Sequence, residues 1–102
     1  MSNRTHMKVP KEKVEMFCKK YNIRRLLFFG SFLRKDFGPG SDVDALVEFG
    51  PGQTVGFIRL GGMEVELSKI LERKVDLRTP AELSRYFRQE VLDSAEVQYA
   101  QR

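Results

Sequence analysis

The sequence predicts an α+β domain, a small mixed β-sheet with helices packed on one face. Its 102 residues suffice for one hydrophobic core and leave no length for a second lobe. Short apolar runs of strand character alternate along the chain with longer stretches whose apolar residues recur at helical spacing. The composition, 41% hydrophobic and 31% charged, is ordinary for a soluble globular chain.

The first helix is expected from Pro10, placed as a first helical residue, with Val14, Phe17, Cys18 and Tyr21 at i, i+3, i+4 and i+7 on its apolar side. Arg24 to Phe29, "RRLLFF", is a short apolar run closed by Gly30 and reads as a buried strand. Ser31 to Asp36 is expected to form a short helix that stops before Gly38-Pro39-Gly40. Ser41 to Phe49 is the second strand, with Val43, Ala45, Val47 and Phe49 on one face and Asp42 and Asp44 on the other.

Between Val55 and Arg73, Leu60, Met63, Leu67, Ile70 and Leu71 follow a helical period, weakened at Gly61 and Gly62 by roughly 1 kcal/mol each. "KVDLRT", Lys74 to Thr79, is a third strand with Val75 and Leu77 opposite Asp76. Thr79, Pro80 and Glu82 have the pattern of a capping box, so a further helix is expected to start there, with Leu83, Phe87, Val91 and Tyr86 on its apolar stripe. "EVQYA" near the end reads either as a short strand or as a tail.

Several function classes drop out. The lone Cys18 cannot form an internal disulfide and, on the apolar side of its helix, reads as core packing in a reducing cytoplasm. The only histidine, His6, lies in residues 1–6, "MSNRTH", read as an unstructured or cloning-derived leader, with residues 7–102 as the single domain. Histidine-based catalysis and zinc sites therefore have no ligands to work with. No apolar run approaches the roughly 18 residues of a membrane span, and no signal-peptide pattern appears. The net charge of +4, concentrated in Lys8, Lys11, Lys13, Lys19, Lys20, Arg24 and Arg25, suits a polyanionic partner or a plain solvated face.

The chemistry is concentrated in "GSFLRKDFGPGSDVDALVEF", Gly30 to Phe49. Residues i and i+2 of a strand share a face at about 6.6 Å, and a neighbouring strand lies about 4.8 Å away. If the Val75 strand pairs beside the Val43 strand, Asp42, Asp44 and Asp76 converge. Two carboxylates about 4 Å apart repel by roughly 4 kcal/mol at an effective dielectric of 20, so a proton or a cation must neutralise the cluster. All-oxygen ligands without His or Cys favour a hard divalent ion, Mg²⁺ or Mn²⁺. Gly30 and Ser31, at the end of a strand and the start of a helix, have the form of a phosphate cradle, with Arg34 one turn on and Lys35 a weaker candidate.

In this order the motifs resemble the minimal nucleotidyltransferase (MNT) group of the DNA polymerase beta-like nucleotidyltransferase superfamily, whose signature is GSxxR, then SDxD on a strand, then a third Asp. The resemblance spans about Pro10 to Tyr99 and departs at Lys35, where members often carry Gly. It implies the nucleotidyltransferase fold, two metal ions held by Asp42 and Asp44, and Asp76 acting on the acceptor side as ligand and base. Gly30 and Ser31 would hold the β- and γ-phosphates, supported by Arg34 and Ser41. The implied reaction transfers AMP from ATP to a hydroxyl acceptor. The resemblance extends to antitoxins paired with HEPN-domain toxins, in which a toxin tyrosine is adenylylated. Two other readings stand beside it: a module that neutralises its partner by contact alone, and a structural domain whose aspartates only cap turns. An RNA or an acidic protein face is an alternative partner for the basic first helix.

Overall fold

A computed structural model describes residues 9–30, 42–53 and 55–101. The leader expected over residues 1–6 and the short helix expected over Ser31–Asp36 lie outside the described residues. The elements run α1 (Lys11–Lys20), β1 (Ile23–Phe29), β2 (Val43–Phe49), α2 (Phe57–Leu71), β3 (Val75–Arg78), a 3-10 turn (Pro80–Glu82), α3 (Arg85–Ser94) and β4 (Glu96–Ala100). They build a four-stranded sheet in the order β3-β2-β1-β4. β1 is antiparallel to β2 and to β4, whereas β2 and β3 run parallel, which makes the sheet mixed as expected.

Pro10 stands one position before α1, in an extended conformation, and its carbonyl accepts from the Val14 N–H at 3.0 Å. Val14, Phe17 and Cys18 then point into the core. Burial pushes the Cys18 thiol up to about 12, so it is a packing residue and not a nucleophile.

The run Leu26–Phe29 is buried throughout, and its alternation explains a departure from the expected one-sided layer. Leu26 and Phe28 join Val43, Ala45 and Val47 in a core covered by α1 and α2, through Val14, Phe17, Leu60, Met63, Leu67 and Leu71. Leu27 and Phe29 face the other way and meet Leu46, Leu83 and Val91. Two helices thus cover one face, and α3 with the chain just before it covers part of the opposite face. A strand with apolar residues at both parities needs cover on both sides.

The helix expected from Thr79 onward also begins later than its capping box. The box forms, with the Thr79 N–H and hydroxyl both donating to Glu82 Oε1 at 3.0 and 3.1 Å, but it closes only the 3-10 turn. Leu83 then adopts an extended backbone and is buried in the second cluster. α3 starts after Ser84, whose hydroxyl accepts from the Phe87 N–H at 3.2 Å. Arg88 ties the two pieces together by donating to the carbonyls of Pro80 and Leu83, at 2.9 and 3.2 Å. Val91 is buried as expected, but Tyr86 and Phe87 are exposed, because the late start rotates them away from the sheet.

β3 is a four-residue edge strand, and α2 holds its outer side. Val75 N–H donates to Ser68 Oγ at 3.0 Å and Leu77 N–H donates to Glu64 Oε2 at 2.7 Å. Backbone donors that an edge strand would otherwise present to solvent or to another chain are satisfied within the domain. α1 is tied to α2 through Glu66, which accepts from the Tyr21 hydroxyl at 2.6 Å and from Lys20 Nζ at 3.1 Å. The Tyr21 hydrogen bond, followed by that of Lys20, holds the Glu66 carboxyl below its ordinary range.

Two stability measurements check this account. Glu64→Ala leaves the Leu77 N–H without its acceptor and is expected to lower stability by about 1–2 kcal/mol, read as a lower denaturant midpoint. Because the folded-state pKa of Glu66 is depressed, its contribution is present above the ordinary carboxyl range and is lost as pH falls through the depressed value. Tyr21→Phe is therefore expected to flatten the fall in Tm on acidification, by thermal melts taken between pH 7 and pH 3.

Candidate active site

The register of the sheet places the aspartates. Phe29 lies opposite Asp44 in the antiparallel pair, and Asp44 lies opposite Asp76 in the parallel pair. Register partners on adjacent strands project to the same face, so these two acids stand side by side on the face that also carries Leu46 and Leu27. The pairing of the Val75 strand beside the Val43 strand, on which the sequence reading depended, is thus present.

Gly30 follows Phe29 directly, with φ of +64°, and its Cα lies against the Asp44 carboxylate. A Cβ at this position would collide with Asp44 Oδ2. Glycine is needed here twice, for the left-handed backbone and for the close approach of an acid. Asp42, two residues before Asp44, precedes β2 and is exposed. Ser31, Arg34 and Ser41, the other expected phosphate contacts, and Lys35 lie outside the described residues.

Asp44 and Asp76 open onto a cleft of about 380 Å³. Phe29 lines it on the β1 side; Arg78, Glu82, Leu83, Ser84 and Phe87 complete its wall. Arg78 donates from Nη2 to Asp76 Oδ2 at 3.0 Å, an ion pair with both side chains close to half exposed. None of these wall residues was assigned to the site from the sequence, where Glu82 reads as a cap residue and Leu83 and Phe87 as core. Arg78 had a signal, since it shares the strand parity of Asp76, but the Glu82–Phe87 wall exists only because the chain breaks between the 3-10 turn and α3.

The donor set is all oxygen. Among the described residues no three of His, Cys, Asp and Glu gather closely enough to form a ready cage for a metal ion. The arrangement is a carboxylate pair, Asp44 with Asp76; Asp42 stands two residues earlier in the chain, ahead of β2. Magnesium is commonly held by one or two carboxylates together with substrate phosphates and water, and a pair at the edge of an open cleft fits that mode better than a closed site.

Comparisons with known proteins bear on the family and the fold. The chain matches the nucleotidyltransferase domain over residues 11–97. A Methanocaldococcus jannaschii protein described as a candidate protein adenylyltransferase is 31% identical over 85 residues, covering 83% of this chain and 89% of the relative. A solved structure of a candidate minimal nucleotidyltransferase superposes with a TM-score of 0.71 at 28% identity, covering 89% of this chain and 96% of that one. The fold is also that of a chain in the Shewanella oneidensis complex of an MNT antitoxin with a tri-AMPylated HEPN toxin. There the TM-score is 0.67 at 19% identity, covering 89% of this chain and 70% of that one. With its carboxylate pair, its glycine against the first acid and a domain match along most of its length, the chain belongs to the nucleotidyltransferase family and is an enzyme of that class.

Proposed function

We propose that the chain is an antitoxin that adenylylates its partner, transferring AMP from ATP to a tyrosine hydroxyl of a HEPN-family toxin in the cytoplasm. The observation that carries this reading is the direct register of Asp44 with Asp76 beside Gly30. The adenylyltransferase description of the Methanocaldococcus relative and the AMPylated toxin in the Shewanella complex support the substrate and the partner.

In this reading Gly30, with Ser31, Arg34 and Ser41, receives the β- and γ-phosphates, and Asp42, Asp44 and Asp76 would hold two Mg²⁺ or Mn²⁺ ions. When bound, such ions neutralise the carboxylates and the charge on the triphosphate. The acceptor oxygen attacks the α-phosphorus, the bond from that phosphorus to the bridging oxygen of the pyrophosphate breaks, and pyrophosphate leaves. Asp76 or water takes the acceptor's proton. Arg78, already at Asp76, balances charge on the acceptor side of the cleft.

The test is incubation of the chain with labelled ATP, Mg²⁺ and the product of the neighbouring gene, which this reading expects to be a HEPN toxin, followed by intact-mass measurement. The expected result is a gain of one or more AMP units on the toxin, reduced about 10²-fold or more by Asp44→Asn or Asp76→Asn. Loss of transfer with neutralisation retained would instead establish the contact reading. Gly30→Ala is expected to cost about 1–2 kcal/mol of stability from the left-handed backbone alone. By displacing the Asp44 carboxylate it should also lower AMP transfer well beyond what its Tm change explains.

A further inference from the structure

The sheet carries two arginine–carboxylate pairs that are made differently. Arg25 on β1 reaches across to its register partner Glu48 on β2 and donates through Nε and Nη2 to separate oxygens, at 2.6 and 2.9 Å. A two-point fork of this kind is strong and fixed in geometry, and here it ties two strands together. Arg78 instead pairs two residues back along its own strand and gives Asp76 a single hydrogen bond, Nη2 to Oδ2 at 3.0 Å. The two side chains are 44% and 42% exposed. A one-point pair of that exposure is weak and easily given up, and it joins no separate elements of the fold.

Arg78 is also the one cation among the described residues that line the cleft, where the acids are Asp44, Asp76 and Glu82. Glu82 already accepts from Thr79 in the capping box, and Asp76 stands in register with Asp44. Of the five donors on a guanidinium, Arg78 gives Asp76 one. A nucleotide arriving with its cation would contest that carboxylate and bring phosphate oxygens into the same cleft. Planar guanidinium groups suit phosphate as well as carboxylate.

We propose that Arg78 is an exchangeable counterion: it holds the Asp76 carboxylate before substrate binds, yields it to the divalent cation, and turns its guanidinium to an oxygen of the triphosphate. The inference rests on the transferase reading above and adds to it a positioning residue that keeps two adjacent acids ready for the cation. Its removal therefore has opposite effects on the two ligands. The bare cation gains an uncontested carboxylate, whereas the nucleotide loses a donor.

The test titrates the full chain, as wild type, Arg78→Gln and Arg78→Lys, with Mn²⁺ alone, followed by the electron paramagnetic resonance signal of the free ion. A second titration uses a fluorescent, non-hydrolysable ATP analogue at saturating Mg²⁺. Arg78→Gln is expected to bind Mn²⁺ about fivefold more tightly and the analogue about fivefold more weakly. Arg78→Lys keeps the charge and should stay near wild type with Mn²⁺. Arg85→Gln removes an equal charge from the exposed start of α3, outside the cleft wall, and should leave Mn²⁺ affinity unchanged. Unchanged Mn²⁺ affinity in Arg78→Gln, an equal gain in Arg85→Gln, or an analogue affinity that does not fall in Arg78→Gln overturns the inference and leaves the transferase reading standing. A wild-type chain that binds neither Mn²⁺ nor the analogue overturns both.

Discussion

The parallel pairing of β2 with β3 is the constraint on which the site depends. A shift of one residue in that register would send Asp76 to the opposite face, among the residues packed under α2, and leave Asp44 without its neighbour. The pairing is not secured by length, since β3 has only four residues. It is secured by α2, which covers Val75 and Leu77 on one face and supplies Ser68 and Glu64 to the backbone donors on the outer edge. The helix that joins the two strands is also the device that holds the second strand in register.

That arrangement brings together two like charges that β-sheet pairing disfavours. For unit charges about 4 Å apart, the repulsion is roughly 4 kcal/mol at an effective dielectric of 20. The Arg78 pair with Asp76 is exposed, and pairs of that kind contribute at most about 1 kcal/mol. Arg78 therefore eases the repulsion but is too weak to be the reason for it. A purely structural role for the acids would be better served by Asn or Thr at either position. The glycine that lets Asp44 lie against the β1 end adds a second local cost at the same point. Two unfavourable choices meeting in one cleft are what a site for a polyvalent, cation-bearing substrate requires, and this is the energetic case for the transferase reading.

Much of this was legible in the sequence because the informative residues act through short-range rules. Strand parity put Asp44 and Asp76 opposite the apolar residues of their strands, and helical spacing identified Val14, Phe17 and Cys18 and the buried side of α2. What was not legible depended on longer-range competition. Thr79, Pro80 and Glu82 make their capping box as the local pattern dictates, but burial of Leu83 against Leu27, Phe29 and Leu46 stops the helix after one turn. The same event turns Tyr86 and Phe87 outward, although their spacing alone assigns them to the core. The alternate faces of Leu26–Phe29 likewise require cover on both sides, which apolar content shows but which does not identify the covering element.

The break between the 3-10 turn and α3 has a consequence for the division of labour in the cleft. A continuous helix from Pro80 would place Leu83 and Phe87 one turn apart on a common stripe, and both would be drawn to the sheet. By spending Leu83 in an extended conformation, the chain anchors the segment with one side chain and frees the other for the rim. The β1 end of the cleft carries Phe29 and the glycine whose missing Cβ lets the Asp44 carboxylate approach, and β3 carries Asp76 with the Arg78 guanidinium beside it. α3 contributes only its cap and first turn to this cleft, too little to hold a flexible acceptor against its lost entropy. On the transferase reading, an acceptor already held on the surface of a folded partner needs far less from this cleft, and the partner would supply the rest of the site.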